Sequence, residues 1–302
     1  MKPSISAVIV LFRPDLIFVN NLIENLLSQV VNIILVDNTP LKLKTYKEDF
    51  FKKPNIYYID LQDNLGIATA HNKGIRKALE LKSKFVIIFD QDSSIETGFI
   101  NSLLDVSKLL TSLGKKVAAI GPSYIDIKTN QVAPAIQFNG LKVNRIYPDP
   151  KNIFTQADYI ISSGTLIETS VFDNIGLMMD DLFIDYVDVE WGLRAKKMGF
   201  YCYIANQVMM RHSIGDESIK VPLSKKHVNI HSDFRKYFII RNAVYLILYS
   251  NLPLNWRVVQ IPKTLMYFSF LFLYVKPRLN NVKIFFKALK DGVSKKLGRG
   301  SM

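Results

Sequence analysis

The stretch Phe85-Val86-Ile87-Ile88-Phe89-Asp90-Gln91-Asp92-Ser93-Ser94 runs from strand-forming apolar residues straight into two carboxylates. Five consecutive apolar residues have the length of a strand and read as one buried on both faces, the pattern of a parallel sheet. Asp90 and Asp92 stand where that strand runs out. In an extended segment the side chains at i and i+2 point the same way, so the two carboxylates could share one cation. Open α/β sheets bind ligands in the crevice outside the carboxyl ends of their strands. Asp and Ser also favour turns, so a plain turn is the alternative, but a turn does not account for the matching parts elsewhere in the chain.

Upstream, Ser6 to Phe12 reads as a buried strand, broken by Arg13-Pro14-Asp15. Leu16, Val19, Leu22, Ile23, Leu26 and Leu27 then recur at helical spacing, and Asn32 to Val36 forms a second strand ending in Asp37-Asn38-Thr39-Pro40. Strand, helix and strand in this order predict a right-handed βαβ unit with a parallel sheet. Ile56 to Asp60 is a third strand. The following Asp63-Asn64-Leu65-Gly66-Ile67-Ala68-Thr69-Ala70-His71-Asn72-Lys73-Gly74 is rich in small residues, which allow close backbone approach to a ligand. Asn64 or Gly66 is the candidate start of a helix running to about Leu81. The spacing is neither the GxGxxG of a dinucleotide site nor the ending of a P-loop.

Downstream, Phe99 to Leu113 suits a helix and Val117 to Pro122 a strand; residues 123–157 read as loops with short strands. Asp158 to Thr165 reads as regular structure closing on small polar residues, with a helix through Val171-Phe172. Asp185-Tyr186-Val187-Asp188-Val189-Glu190-Trp191 is a second acidic cluster. A helix starting near Val187 puts Asp188 and Glu190 in its first turn, where the helix dipole favours carboxylates. Strands at Tyr201 to Ile204 and Val208 to Met210 lead into Arg211-His212-Ser213-Ile214-Gly215-Asp216. His212 is a candidate third metal ligand, against the plainer reading of a structural histidine.

The chain has 302 residues, 49% of them apolar, which supports one large domain, or a domain plus an extension, with a sizeable core. The lone Cys202 excludes an internal disulfide, fits a reducing compartment and sits in an apolar run as a small core residue. Met1-Lys2-Pro3 leads directly into a strand, with no visible signal peptide. The formal net charge is +13, and from Lys276 onward eight Lys or Arg stand against Asp291 alone. Such a tail suits nucleic acid, anionic lipid or plain solubility. Beyond Ser224 the βα pattern stops. Phe234 to Tyr249 reads as a helix, and Leu265 to Val275 is an aromatic-rich apolar run, too short for the roughly 20 residues a membrane span takes. Val282, Ile284, Phe285, Phe286 and Leu289 then alternate with Lys283, Lys287 and Lys290, which suits interfacial helices on an anionic membrane; a core or homodimer-forming helix is the alternative.

Taken together, Val36-Asp37-Asn38, Asn64-Leu65-Gly66 with Asn72 and Gly74, Asp90-Gln91-Asp92-Ser93, Ser163-Gly164, Phe183 to Trp191, His212 to Asp216 and Arg241-Asn242 resemble an inverting family 2 glycosyltransferase of GT-A fold. Within that family, the Asp-Gln-Asp-Ser and Phe-Ile-Asp-Tyr-Val-Asp-Val-Glu-Trp runs are similar to the bacterial rhamnosyltransferases that build O-antigen and other surface polysaccharides. The resemblance covers roughly residues 5–245. It implies a Rossmann-like, mostly parallel sheet flanked by helices over residues 1–225 and a helical, basic extension over 226–302. It implies transfer of L-rhamnose from dTDP-L-rhamnose to a lipid-linked saccharide at the inner face of the cytoplasmic membrane. UDP-galactofuranose, UDP-glucose or UDP-N-acetylglucosamine are alternative donors, and a non-catalytic nucleic-acid-binding protein is the alternative of another class.

By the same resemblance, Asp37 contacts the nucleotide base, and Asn64, Gly66, Asn72, Gln91 and Gly164 line the donor pocket. Asp90 faces ribose and metal; Asp92, with Asp90 and His212, holds Mg²⁺ or Mn²⁺ on the diphosphate. Asp188 is the general base, with Glu190 and Asp185 in reserve, and Trp191 stacks on the acceptor or else packs as a core indole. Val187 departs from the family's Glu-Asp pair. His71 stands where many members carry Arg, which puts a diphosphate contact there in doubt.

Overall fold

The computed structural model describes residues 3–126, 130–212, 217–220 and 227–300, with the backbone alone for 48, 50, 212, 217–220 and 227–230. In chain order the elements are β1 (Ile5–Leu11), α1 (Leu16–Leu27), β2 (Asn32–Asp37), β3 (Ile56–Asp60), α2 (Ile67–Glu80), β4 (Phe85–Asp90), α3 (Phe99–Ser112) and β5 (Val117–Asp126). Then follow β6 (Ala135–Asn139), β7 (Lys142–Ile146), β8 (Phe154–Ala157), β9 (Thr165–Glu168), α4 (Val171–Ile175), α5 (Val187–Lys197) and β10 (Tyr201–His212). The chain ends with β11 (Glu217–Lys220), β12 (His227–Ile230), α6 (Asp233–Tyr249), α7 (Leu254–Tyr274) and α8 (Arg278–Val293).

Eight strands form one sheet in the order β3-β2-β1-β4-β9-β5-β10-β8. β1 pairs in parallel with both β2 and β4, β2 with β3, and β5 with β10. The parallel architecture follows from the apolar runs: every residue of β1 and β2 is buried, as are Phe85 to Phe89 of β4. A strand covered on both faces needs no alternation. The antiparallel β9 joins the two parallel blocks, and antiparallel β8 closes the far edge.

Two corrections to the sequence expectations arise here. Residues 158–164 are irregular, and the strand begins at Thr165, where the small polar residues were expected to end one. The two strands expected between Tyr201 and Met210 are one, with an irregular register between Ala205 and Met209 against β5. The span 123–157, expected as loops with short strands, holds the end of β5, the β6–β7 hairpin and β8.

Helices α1 and α3 cover one face of the sheet, and α2, α4 and α5 the other. Each buried Leu, Ile, Val or Phe stabilises this three-layer core by about 1.5–3 kcal/mol. Helix α2 lies so close to the sheet that a Cβ on Gly74 would stand 2.2 Å from a methyl of Val8. Helices α6–α8 form a further layer, with their own apolar cluster around Phe183, Tyr237, Phe238 and Phe285. They are bound into the sheet-bearing part: Leu246 and Trp256 belong to the α2–α5 side core, and Gly298 N donates to Asp181 O at 2.8 Å. The expected boundary near residue 225 lies outside the described residues. No helix among the described residues is long and apolar enough to cross a membrane.

Candidate active site

The strand order reverses at β1, whose neighbours are β2 and β4, so a crevice opens beyond the carboxyl ends of these strands. Along β4, Val86 and Ile88 face the α2–α5 side, and Asp90 continues that alternation. The chain then turns: Ser93 N donates to Asp90 O at 3.1 Å. Asp92 therefore does not lie beside Asp90 as an extended segment would place it. It lines a separate cavity of about 470 Å³ with Asn21, Asn25 and Glu96 on the α1 side. Gln91 is spent on backbone: its Oε1 accepts from Phe12 N at 2.7 Å and its Nε2 donates to Phe12 O at 3.2 Å. It positions the end of β1, which corrects its expected role as a donor ligand. Ser163 ties this turn to the next strand, its Oγ 2.7 Å from Ser93 Oγ and accepting from Asp90 N at 3.2 Å. Gly164 N donates to Ile88 O at 2.7 Å, so this glycine too is held against β4.

At the end of β2, Asp37 is fully buried. Burial alone would raise its pKa, but hydrogen bonds from Tyr58, Tyr46 and Thr39 outweigh that and lower it. Lys44 Nζ lies 3.1 Å from Asp37 and 2.8 Å from Asp60. Asp37 Oδ2 thus takes Tyr46, Tyr58 and Lys44, and Oδ1 takes Thr39 N. The carboxylate expected to read a base is already occupied, and it organises the edge of the sheet instead.

Asn38 Nδ2 donates to Asn64 Oδ1 at 3.0 Å, which in turn accepts from Gly66 N at 3.1 Å. Gly66 has φ +88° and a Cβ there would stand 2.6 Å from Phe183 O, so both conformation and space require glycine. Asn72, expected in the donor pocket, instead clasps the 178–180 segment through Met178 O, Met178 N and Asp180. His71 is buried, neither ring nitrogen has a partner among the described residues, and burial lowers its pKa to about 4, so it is neutral.

The second acidic cluster sits after a strained turn. Phe183 (φ 64°, ψ −67°) centres a γ-turn in which Ile184 N donates to Leu182 O at 2.7 Å. Asp185 and Tyr186 also have positive φ, at 64° and 63°. Conformations of this kind cost about 1–3 kcal/mol each and persist only when neighbours over-determine them. Asn242 on α6 does so, donating to the carbonyls of Leu182, Ile184 and Asp185 at 2.9, 2.8 and 2.9 Å. The Arg241 guanidinium adds bonds to Asp181 O and Leu182 O. The Arg241-Asn242 pair is therefore the clamp that aims the start of α5.

Asp188 stands in the first turn of α5 and accepts from Val189 N at 2.8 Å. Burial first, then the charges of Asp185 and Asp90, raise its pKa to about 6 against that backbone bond. It lines a cavity of about 430 Å³ between α5 and the C-terminal helices. Tyr159, Asp185 and Tyr186 form one side; Gln260, Lys263 and Tyr267 of α7 form the other. Gln260 Nε2 donates to Tyr186 Oη, and the Tyr267 hydroxyl is buried without a partner among the described residues. Asp185 is ion-paired with Arg235.

Glu190 is not among the lining residues: it is buried in a pair with Arg194 at 2.8 and 2.9 Å, which makes it a structural acid and not a reserve base. Trp191 is 3% exposed, and its indole N–H donates to Gly176 O at 2.9 Å. It is a core indole, which corrects the acceptor-stacking expectation. The α7 wall was missed. Its signal was present as Gln260, Lys263, Thr264 and Tyr267, polar positions at helical spacing within an apolar run.

The fit of a divalent cation follows from the donors available. Among the described residues no three His, Cys, Asp or Glu side chains form a metal cluster, and the His212 side chain lies outside them. Asp92 is exposed and has no hydrogen bond or ion pair among the described residues. One or two carboxylates are too few for a closed cage but suit Mg²⁺, which keeps waters and takes substrate phosphate oxygens.

Comparison with known proteins agrees with this architecture. The family model for glycosyl transferase family 2 matches residues 7–176. The chain is 35% identical over 303 residues to the dTDP-rhamnosyl transferase RfbF of Shigella flexneri, covering 99% of both chains. It is 22% identical over 251 residues to the low-salt glycan biosynthesis hexosyltransferase Agl10 of Haloferax volcanii, covering 79% of this chain and 80% of that one. The fold is shared with S. aureus TarS residues 1–349 in complex with UDP-GlcNAc (TM-score 0.59, 15% identity, 96% of this chain and 81% of that one). It is also shared with GalNAc-T7 with UDP, GalNAc and Mn²⁺ (TM-score 0.59, 13% identity, 97% of this chain and 56% of that one). With a family model over more than half of its residues and a full-length relative at 35% identity, this chain belongs to glycosyl transferase family 2.

Proposed function

We propose that this glycosyltransferase moves L-rhamnose from dTDP-L-rhamnose to a lipid-linked saccharide, with inversion, in the synthesis of a surface polysaccharide. The observation that carries the mechanism is Asp188, a carboxylate with pKa about 6 at the wall of a sugar-sized cavity. A base is most effective when its pKa lies near the working pH. The donor sugar follows the full-length relative, whose name specifies dTDP-rhamnosyl transfer.

Asp188 accepts the proton of the acceptor hydroxyl. The acceptor oxygen bonds to the anomeric carbon while the bond from that carbon to the diphosphate breaks, and dTDP leaves. One base on one face makes this a single displacement, hence inversion. Asp92, exposed and without a partner among the described residues, would hold Mg²⁺ or Mn²⁺ together with water and donor phosphate oxygens, and the ion would neutralise charge on the departing diphosphate.

We assign α7 and α8 to an anionic membrane surface. Leu254, Val258, Ile261, Leu265 and Phe272 are exposed on the side of α7 opposite Gln260 and Tyr267. Leu279 and Phe286 of α8 are exposed beside Lys283 and Lys287. An apolar stripe with basic neighbours suits the lipid interface, and one helix then faces both the bilayer and the site where a lipid-linked acceptor reacts. The single buried Cys202 suits the cytoplasmic side.

The test is nucleotide release by the full chain from dTDP-L-rhamnose and from UDP-galactofuranose, UDP-glucose and UDP-N-acetylglucosamine. Release from dTDP-L-rhamnose alone is expected, lost in excess chelator and in Asp92→Asn. Preference for a UDP-sugar overturns the donor assignment, and full activity in chelator overturns the metal.

A further inference from the structure

The β6–β7 hairpin is docked on α7 beside the Asp188 cavity. Asn255, at the start of α7, donates its side-chain N–H to Gly140 O in the hairpin turn at 3.0 Å. The Lys263 ammonium lies over the Phe138 ring of the same hairpin, 5.6 Å from its centroid, and Lys263 also lines the cavity. Arg145 of β7 stands opposite Ile136 in the hairpin, and Ile136 O accepts from Asp158 N at 2.8 Å, next to the cavity-lining Tyr159; the Arg145 charge acts on both Lys263 and Tyr159. Lys263 and Arg145 have no carboxylate partner among the described residues, and the nearby Asp185 is committed to Arg235. Lys263 is exposed along its length, yet desolvation of its ammonium first, and Arg145 second, lower its pKa. Two unneutralised cations held together repel each other, and an anion placed between them converts that repulsion into charge-assisted hydrogen bonds.

We propose that Lys263 and Arg145 form an anion subsite at the edge of the Asp188 cavity where the hairpin meets α7, and that the acceptor carries a phosphate or a carboxylate within that cavity's span of the hydroxyl it presents. This rests on the reading of the Asp188 cavity as the acceptor site. The chemistry is that of an oxyanion: a lipid diphosphate or an acidic sugar both supply it. Arg suits it through its planar fork and Lys as a mobile point charge. The two cations lie on separate elements, so the subsite exists only when the hairpin and α7 are docked, as Asn255 and Phe138 dock them.

The experiment titrates the full chain calorimetrically, with and without dTDP, using glucose 1-phosphate, glucuronic acid and methyl glucoside. At least one anionic sugar should bind about tenfold or more tightly than the neutral glycoside, the worth of a hydrogen bond to a charged group. Preference for glucose 1-phosphate identifies a phosphate and preference for glucuronic acid a carboxylate. Lys263→Met and Arg145→Met should each abolish the preference, and Lys263→Arg should keep it, with dTDP affinity unchanged throughout. Both positions are exposed, so the variants fold. Equal or absent binding of charged and neutral sugars overturns the subsite. A loss of dTDP affinity in Lys263→Met also overturns it, by placing these cations on the donor. If dTDP does not bind but the anionic preference stands, the donor reading fails and the subsite survives.

Discussion

Asp37 and Asp188 are both carboxylates withdrawn from water, and they titrate in opposite directions. Asp37 has lost its hydration but gained two tyrosine hydroxyls, a backbone N–H and Lys44, and its pKa falls. Asp188 has lost hydration, gained only backbone N–H donors, those of Val189 and its own residue, and faces the charges of Asp185 and Asp90; its pKa rises to about 6. Burial acts alike on both. The count of donors around the charged form decides the sign. The saturated carboxylate has no capacity left for a substrate proton and serves structure, whereas the unsaturated one is poised to take a proton. The same contrast separates Asp188 from Glu190, two residues along the same helix, which Arg194 saturates.

Replacing the unsaturated member has the largest effect. Asp188→Asn should lower turnover by about 10²–10⁴-fold while dTDP binding is retained, measured by rhamnosyl transfer and by calorimetry. In the parent enzyme kcat/KM should fall as pH drops through about 6, because protonated Asp188 cannot accept the acceptor's proton. The sign on stability is opposite to the usual carboxylate. The folded pKa is raised, so ionising Asp188 costs stability above about pH 6, and both states are protonated well below 3.8. Asp188→Asn should therefore melt higher than the parent at pH 8 and equally at pH 3.

Next in size is the clamp that aims Asp188. Asn242→Ala removes three hydrogen bonds to the strained turn and should cost about 10²-fold in kcat, since misplacement on the scale of 1 Å has that effect. Nucleotide affinity should stay within a few-fold of the parent; a variant with normal kcat would show that the turn holds itself.

A smaller effect is expected on the saturated side. Tyr46→Phe removes one donor from Asp37 and should lower the unfolding free energy by about 1.5–3 kcal/mol in urea titrations at pH 7, with kcat little changed. The lowered Asp37 pKa contributes stability above the unfolded value, lost as pH falls, so the difference between parent and variant should shrink below about pH 4. A constant difference across pH would mean that Asp37 is not the reason.

The smallest effect concerns the outer face of α7. Leu265→Asp should weaken flotation on anionic vesicles about tenfold or more without changing turnover on a water-soluble acceptor, as one exposed leucine is worth about 1.5–3 kcal/mol when buried. Flotation equal to the parent would leave this stripe to a second copy of the chain.

Much of the fold was legible because it is written in short windows. An apolar run of strand length names β4 without reference to anything else, and the strand–helix–strand order from Ser6 to Val36 fixes parallel pairing of β1 and β2. Asp90 at the end of β4 and Asp188 in the first turn of α5 were placed by the same local logic. Asn72 and Gln91 were legible as special positions but not in role, because their partners, Met178 and Phe12, lie 106 and 79 residues away.

The sequence by itself determined β1 to β5 and α1 to α3, the parallel character of the sheet and the two acidic clusters, since each depends on periodicity within a dozen residues. The tertiary structure decided the antiparallel β9 between two parallel blocks, the turn that separates Asp92 from Asp90, and the saturation of Asp37. It alone brought α7 against α5 to close the cavity around Asp188. The physical reason is that charge state and cavity shape are set by what surrounds a group in space. Those neighbours, from Tyr159 to Tyr267, belong to elements that no local window joins.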